Sequence, residues 1–242
     1  MSSLDDRTLM ECHIAALFTT DAAGQLLRVR EHNGGPAPRF FLGRSARHSI
    51  YRFRVDVPKG VRRELAAAVT GWPPGVSTTD PEGTAREQLA RLAAILGNSA
   101  PVETMSAGPA YAFPYALPLL AADSGRVVRV TEDNISVLEP ALRAWIPDVI
   151  HSPPLMALVL GDHAVAVCGS VRITAPAHEA GVETAPSHRG QGYAPRVVAA
   201  WAERVRALGA EPLYSTSWQN AASRAVARKL ALAQVCDDLH LT

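Results

Sequence analysis

The sequence predicts an α/β chain of the α+β kind, in which a smaller α+β region precedes a mixed sheet with flanking helices. Three observations predict it. After Gly125, short apolar runs of strand type alternate with segments of helical period. The Gly161-Asp162 step between two apolar runs signals a hairpin, which makes the sheet mixed and not purely parallel. Pro101, Pro109, Pro114 and Pro118 punctuate the middle of the chain, where neither period persists. The expected organisation is an N-terminal domain over residues 1–100, a Pro-rich connecting segment over 101–124 and a second domain over 125–242.

In the first part the patterning predicts a helix over 4–17, strands over 26–29, 40–42 and 50–55, and a helix over 61–69. A helix over 84–96 repeats Leu89, Leu92 and Leu96 on one face. In the second part the order is strand 126–131, helix 136–145, strands 155–160, 164–173 and 179–185, helix 193–208, strand 212–217, helix 220–230 and strand 234–241. No motif in the first part names a reaction.

Composition bounds the function. Hydrophobic residues make up 48% and charged residues 19% of the 242, which suits a globular chain with a core. The N-terminus lacks a basic and then apolar leader pattern, and no apolar run reaches the ~18 residues that span a bilayer, so the expectation is a cytoplasmic protein without a membrane segment. Cys12, Cys168 and Cys236 are too few and too scattered for a disulfide framework or a zinc knuckle, and no metal site is expected. Net charge is +1, yet arginines crowd residues 28–63 and could favour anionic partners. Alternation such as Tyr51-Arg52-Phe53-Arg54 is what a half-buried strand produces, so a nucleic-acid surface is not expected there. Trp201 and Trp218 read as core or pocket wall.

Chemistry concentrates at Glu183-Thr184-Ala185-Pro186-Ser187-His188-Arg189-Gly190-Gln191-Gly192-Tyr193-Ala194, a strand end, a glycine turn and a helix start. Successive N–H groups at such a turn converge on one point, and the helix dipole adds about half a positive charge there, which favours a pyrophosphate. Gly190 and Gly192 let phosphate oxygens approach the backbone. Pro195 falls in the first helical turn, where its missing N–H costs little. A P-loop is excluded because no lysine follows the glycines. A dinucleotide fingerprint is excluded because Pro195 takes its final place.

This segment resembles the GNAT superfamily of acyl-CoA N-acyltransferases. Arg189, Gly192 and Ala194 match its R/Q-x-x-G-x-G/A signature, and Asn220, Ser223, Lys229 and Leu230 match a second, helical segment. The resemblance covers residues 125–242 and departs at Ala231 and Leu232, which replace a Gly-Phe pair, and at Ala227, where many members carry a tyrosine acid. It implies acetyl-CoA as cosubstrate and an amine as acceptor, with Thr184, Arg189, Gly190, Gln191, Gly192, Tyr193, Ala194, Asn220 and Ser223 on the cofactor. Asn220 equally suits a helix N-cap.

Transfer to an amine needs a base, and Glu179 and Glu183 share a face of an unbroken strand. His178 and His188 are further candidates. For protonating the thiolate the nearby hydroxyls are Tyr214, Ser217 and Ser223, with water as the alternative. The missing tyrosine leaves open a non-catalytic acyl-CoA-binding module.

Overall fold

A computed structural model describes residues 4–76, 84–120 and 124–242. In chain order the first elements are α1 (Asp6–Leu17), β1 (Phe18–Thr20), β2 (Leu26–Val29), β3 (Phe40–Arg44), β4 (Ser49–Phe53), α2 (Lys59–Thr70), α3 (Thr84–Gly97) and β5 (Met105–Ala112). There follow β6 (Arg126–Val130), α4 (Asp148–His151), β7 (Leu155–Leu160), β8 (His163–Ile173), β9 (Ala177–Thr184), α5 (Tyr193–Ala207), β10 (Glu211–Ser215), α6 (Ala221–Lys229) and β11 (Ala233–Leu241). The chain folds into two compact units that interleave in sequence: residues 3–111 with 215–221 and 234–242, and residues 112–214 with 222–233.

In the N-terminal unit, β3 pairs antiparallel with β4 on one side and β11 on the other, and β11 neighbours β5. Alternation along β3 decides what covers each face. Phe40 and Leu42 enter a core with Leu65 and Val69 of α2 and Leu92 and Leu96 of α3. On the other face a Cβ at Gly43 would stand 3.1 Å from Met10 Cε of α1, and Phe41 packs against Phe18 and His240. Asp5 caps α1, accepting from the Thr8 N–H at 2.8 Å, which satisfies one otherwise unbonded donor of the first turn.

In the C-terminal unit the strand order is β10-β9-β8-β7-β6. All neighbours are antiparallel except β10 and β9, which run parallel. The β7–β8 hairpin turns at Gly161, whose φ of 58° is the left-handed conformation that the Gly-Asp step supplies. Helix α5 buries Val197, Val198, Trp201, Ala202 and Val205. Trp201 Nε1–H donates to Ser170 Oγ of β8 at 3.0 Å, which fixes the face of the sheet that α5 covers.

Three sequence expectations are corrected. A helix over 136–145 does not form: Glu132–Leu138 and Arg143–Trp145 are separate 3-10 turns, because Pro140 lies between them and cannot donate to a helical ladder. The Pro-rich segment holds a full strand, β5, at Met105–Ala112. Its small side chains hide the strand pattern, and a close backbone approach sets it: a Cβ at Gly108 would fall 1.8 Å from the Thr216 carbonyl oxygen. Leu208, expected as the last residue of the helix over 193–208, is instead its C-cap and is 57% exposed.

The crowd of arginines serves the fold of its own unit. Arg39, nearly buried, donates to the carbonyls of Leu96, Ala100 and Pro101 and to Ser99 Oγ, so it caps the end of α3. Arg30 donates to the Ala15 carbonyl, Arg52 pairs with Glu11 at 2.8 Å and Arg54 pairs with Asp56 at 2.8 Å. Cys168 and Cys236 are buried and Cys12 is half-buried.

Candidate functional site

The site is built where β9 leaves one neighbour. Against β8 its register runs from Ile173↔His178 to Ala166↔Thr184, all but the first residue of the strand. Against β10 it stops after Glu211↔Ala177, Pro212↔His178 and Leu213↔Glu179. The strands therefore part beyond Glu179. Because Ala185 N–H donates to Val165 O on β8, the antiparallel alternation turns the main-chain groups of Val182 and Thr184 the other way, toward the edge that β10 has left. An extended ligand arm can add its own amides to such an edge as a short strand would.

At the end of that edge the chain makes a 3-10 turn at Pro186–His188 and enters α5 through Gly190 (φ 77°) and Gly192 (φ 80°). Both are left-handed, the conformation glycine adopts at no steric cost. Gly192 is the N-cap of α5 and supplies no side-chain oxygen to the helix. Among the described residues, no turn or loop hydrogen bond runs from the backbone N–H groups of Gly190, Gln191, Gly192, Tyr193 or Ala194 to a protein acceptor. Arg189 Nε reaches back to the Thr184 carbonyl at 3.3 Å and ties the loop to the strand end. The loop opens on a cavity of about 200 Å³ lined by Ser124, Gln191, Gly192, Tyr193, Arg196 and Lys229.

Two cations border it. Nζ of Lys229, at the end of α6, lies 3.9 Å from where a Cβ of residue 192 would stand. Arg196 donates to the Ser124 and Gly125 carbonyls, and Tyr193 Oη lies 3.4 Å from Ser124 Oγ, so residues 124–125 are held against the start of α5. The sequence shows Lys229 as part of a helical segment; only the fold brings its charge to the glycine turn, 37 residues away in the chain.

The candidate bases separate by environment. Strand β9 carries no extra residue, since the irregularity in its ladder lies on β8 between Ser170 and Arg172, so Glu179 and Glu183 share a face. Glu179 is 1% exposed at the last paired position. Glu183 is half-buried beyond the parting, and its Oε2 accepts from Trp145 Nε1–H at 2.6 Å. His178 points to the opposite face. Its Nδ1 is 2.9 Å from Ser170 Oγ within the Trp201 network, and burial lowers its pKa, which keeps the ring neutral in the core under α5. His188 sits beside the loop, its Nδ1 2.9 Å from Ser187 Oγ.

Two candidate acids prove to be one another's partners. Tyr214, the first residue of β10 past the paired register, has its Oη 2.6 Å from Ser223 Oγ in α6. Ala227 is 1% exposed. Asn220 immediately precedes α6 and is exposed, and with Ser217 and Trp218 it belongs to the N-terminal unit. Trp145 is the residue that sequence reasoning passes over. It ends what reads as an ordinary amphipathic helix, and its contact with Glu183 spans 38 positions.

Among the described residues no group of three or more His, Cys, Asp or Glu is placed to hold a metal ion, and no helix is long and apolar enough to cross a membrane. No curated protein shows significant sequence similarity to the chain. Solved structures resemble it broadly. A GNAT-family protein from Novosphingobium aromaticivorans is 16% identical over 58% of this chain and 65% of its own length, with a TM-score of 0.48. A GNAT-family acetyltransferase from Colwellia psychrerythraea is 13% identical over 79% and 75%, TM-score 0.48. A GCN5-related N-acetyltransferase-like protein from Streptococcus suis is 13% identical over 86% and 85%, also with a TM-score of 0.48. Residues 172–237 match the family described as FR47-like protein, a span that takes in β9, the glycine turn, α5, β10 and α6. The parted parallel strands and the glycine turn of this chain thus lie within the span that is similar to the FR47-like family.

Proposed function

We propose that the protein is an acetyl-CoA-dependent N-acetyltransferase. One observation carries the reading: Gln191, Gly192 and Tyr193 line a cavity at the mouth of a parted strand pair, and among the described residues no turn or loop hydrogen bond engages the main-chain N–H groups from Gly190 to Ala194. Those amides, with Arg189, Gln191 and Lys229, suit a diphosphate. From there the pantetheine arm runs along the edge of β9, bonding main chain at Val182 and Thr184, and delivers the thioester beside Glu183. Ser223, in the same unit as the turn, completes the proposed contacts to the cosubstrate.

The step is direct attack. Glu183 accepts an N–H proton as the amine nitrogen bonds to the thioester carbonyl carbon. Charge that gathers on the carbonyl oxygen is stabilised by main-chain N–H at the strand edge. The carbon–sulfur bond then breaks, and the departing thiolate takes a proton. The Tyr214–Ser223 hydroxyl pair is the proposed donor, since it lies in the same unit at the start of the parting. Glu183 is preferred to Glu179 because a base must reach substrate, and Glu179 is 1% exposed.

Isothermal titration with acetyl-CoA tests the reading. Saturable heat is expected, and none at millimolar ligand overturns it. A second reading, a binding module without turnover, is favoured by Ala227 in the place of the superfamily's acid. Binding of acetyl-CoA without release of CoA across a panel of amines would select it.

A further inference from the structure

The sheet face opposite α5 carries an arrangement that binding of a cosubstrate does not need. Gly169 of β8 and Gly181 of β9 stand directly opposite one another in the register, so at that point neither strand raises a side chain. A Cβ at Gly169 would stand 3.2 Å from Cζ3 of Trp145, and one at Gly181 would stand 3.0 Å from Cη2 of the same ring and 2.2 Å from Val171 Cγ1. The benzene edge of the indole therefore rests in the gap left by two missing Cβ atoms. The pyrrole edge points along β9, and Nε1–H donates to Glu183 Oε2 at 2.6 Å. The backbone under the ring is anchored too: Trp145 N–H donates to the carbonyl of Leu142, itself buried, at 3.0 Å.

We propose that Trp145 is the positioning residue for the Glu183 carboxylate. This rests on Glu183 being the base of the proposed transfer. Seated on the glycine pair, the indole holds Oε2 and thereby turns Oε1 toward the incoming amine. The residue type suits the task, because an indole nitrogen donates a hydrogen bond and cannot accept one. It fixes the carboxylate without competing for the proton that the carboxylate must take. A hydroxyl or imidazole in that place would offer a second acceptor. Gly169 and Gly181 belong to the same device, since a Cβ at either position would crowd the ring as well as Leu155 Cδ1 at 2.7 Å or Val171 Cγ1 at 2.2 Å.

The test separates this contact from the enzymatic reading. The indole Nε1–H resonances of the four tryptophans are recorded by NMR in wild type, Glu183→Gln and Trp145→Phe. The resonance lost in Trp145→Phe is expected to move with pH in wild type and to stop moving in Glu183→Gln. If it is indifferent to Glu183→Gln, the contact is overturned, whether or not the protein turns over acyl-CoA. Should Trp145→Phe fail to fold, the wild type and Glu183→Gln pair still decides, because removal of the carboxylate charge must shift one indole. In turnover, Trp145→Phe is expected to lower kcat roughly tenfold, to leave KM for acetyl-CoA unchanged and to displace the acid limb of kcat against pH. An unchanged kcat and acid limb overturns the proposal. Failure of wild type to bind acetyl-CoA strikes the reading of the glycine turn and leaves the NMR outcome standing.

Discussion

The arginines of the N-terminal unit and the glycine turn of the C-terminal unit use their donors in opposite ways. Arg39 places its guanidinium on three carbonyls and a hydroxyl, Arg30 on a carbonyl, and Arg52 and Arg54 on carboxylates of their own unit. At the turn from Gly190 to Ala194 the main-chain N–H groups make no turn or loop hydrogen bond among the described residues, and Lys229 and Arg196 border the cavity beside them. Density of positive charge is therefore a poor guide to anion binding in this chain. The arginine-rich stretch is scaffold because its donors are engaged within its own unit, and the glycine turn is the candidate site because its residues line a cavity.

The largest test of that contrast lies on the open side. Glu183→Gln removes the proposed base while keeping an acceptor for the Trp145 indole, so kcat is expected to fall about 100- to 1,000-fold with acetyl-CoA affinity retained. Kinetics beside calorimetry checks both halves, and wild-type kcat would return the role to Glu179. On the closed side, Arg39→Ala leaves carbonyls at the end of α3 without their donor and is expected to cost about 3 kcal/mol of stability. Urea unfolding measures it, and a loss under ~1 kcal/mol would show that the arginine is decorative.

A buried carboxylate sharpens the same point. Asp238 of β11 is nearly buried, with His13 Nε2 at 2.9 Å and His240 Nε2 at 3.5 Å from its Oδ2. Burial alone pushes its pKa up, but the charges and hydrogen bonds of His240 and His13 outweigh that and hold it far below the ordinary carboxylate value. A carboxyl whose folded pKa is depressed lends stability above its unfolded pKa, and the contribution fades as pH falls through the acid range below it. Wild type is therefore expected to exceed Asp238→Asn by about 2 kcal/mol at neutral pH, with the gap narrowing below pH ~4. A gap that persists unchanged to pH ~2 would remove the linkage. The smallest effect belongs to the exposed Lys229: Lys229→Ala is expected to weaken acetyl-CoA binding by about 1 kcal/mol, and more weakly at high salt.

Legibility followed the range of the interactions. The glycine turn, the hairpin at Gly161 and the helix over 193–208 were open to reading because a positive φ, a missing Cβ or a 3.6-residue period is written in neighbouring residues. The helix over 136–145 failed because the apolar period outweighed Pro140, which in the fold separates two 3-10 turns. Strand β5 was missed because Ser106, Ala107, Gly108 and Ala110 carry little pattern, and the backbone approach of Thr216 to Gly108 comes from over a hundred positions away.

By itself, then, the sequence determined the α+β character, the glycine turn with its superfamily resemblance, and the pair of carboxylates on one strand face. Only the tertiary structure decided which carboxylate lies past the parting of β9 and β10, that Trp145 holds it, that Tyr214 and Ser223 join, and that Lys229 reaches the turn. The reason is one of scale. Turn chemistry and periodicity are fixed by residues within a few positions of each other, whereas a hydrogen bond over 38 positions or a charge brought across 37 exists only after the sheet has chosen its register.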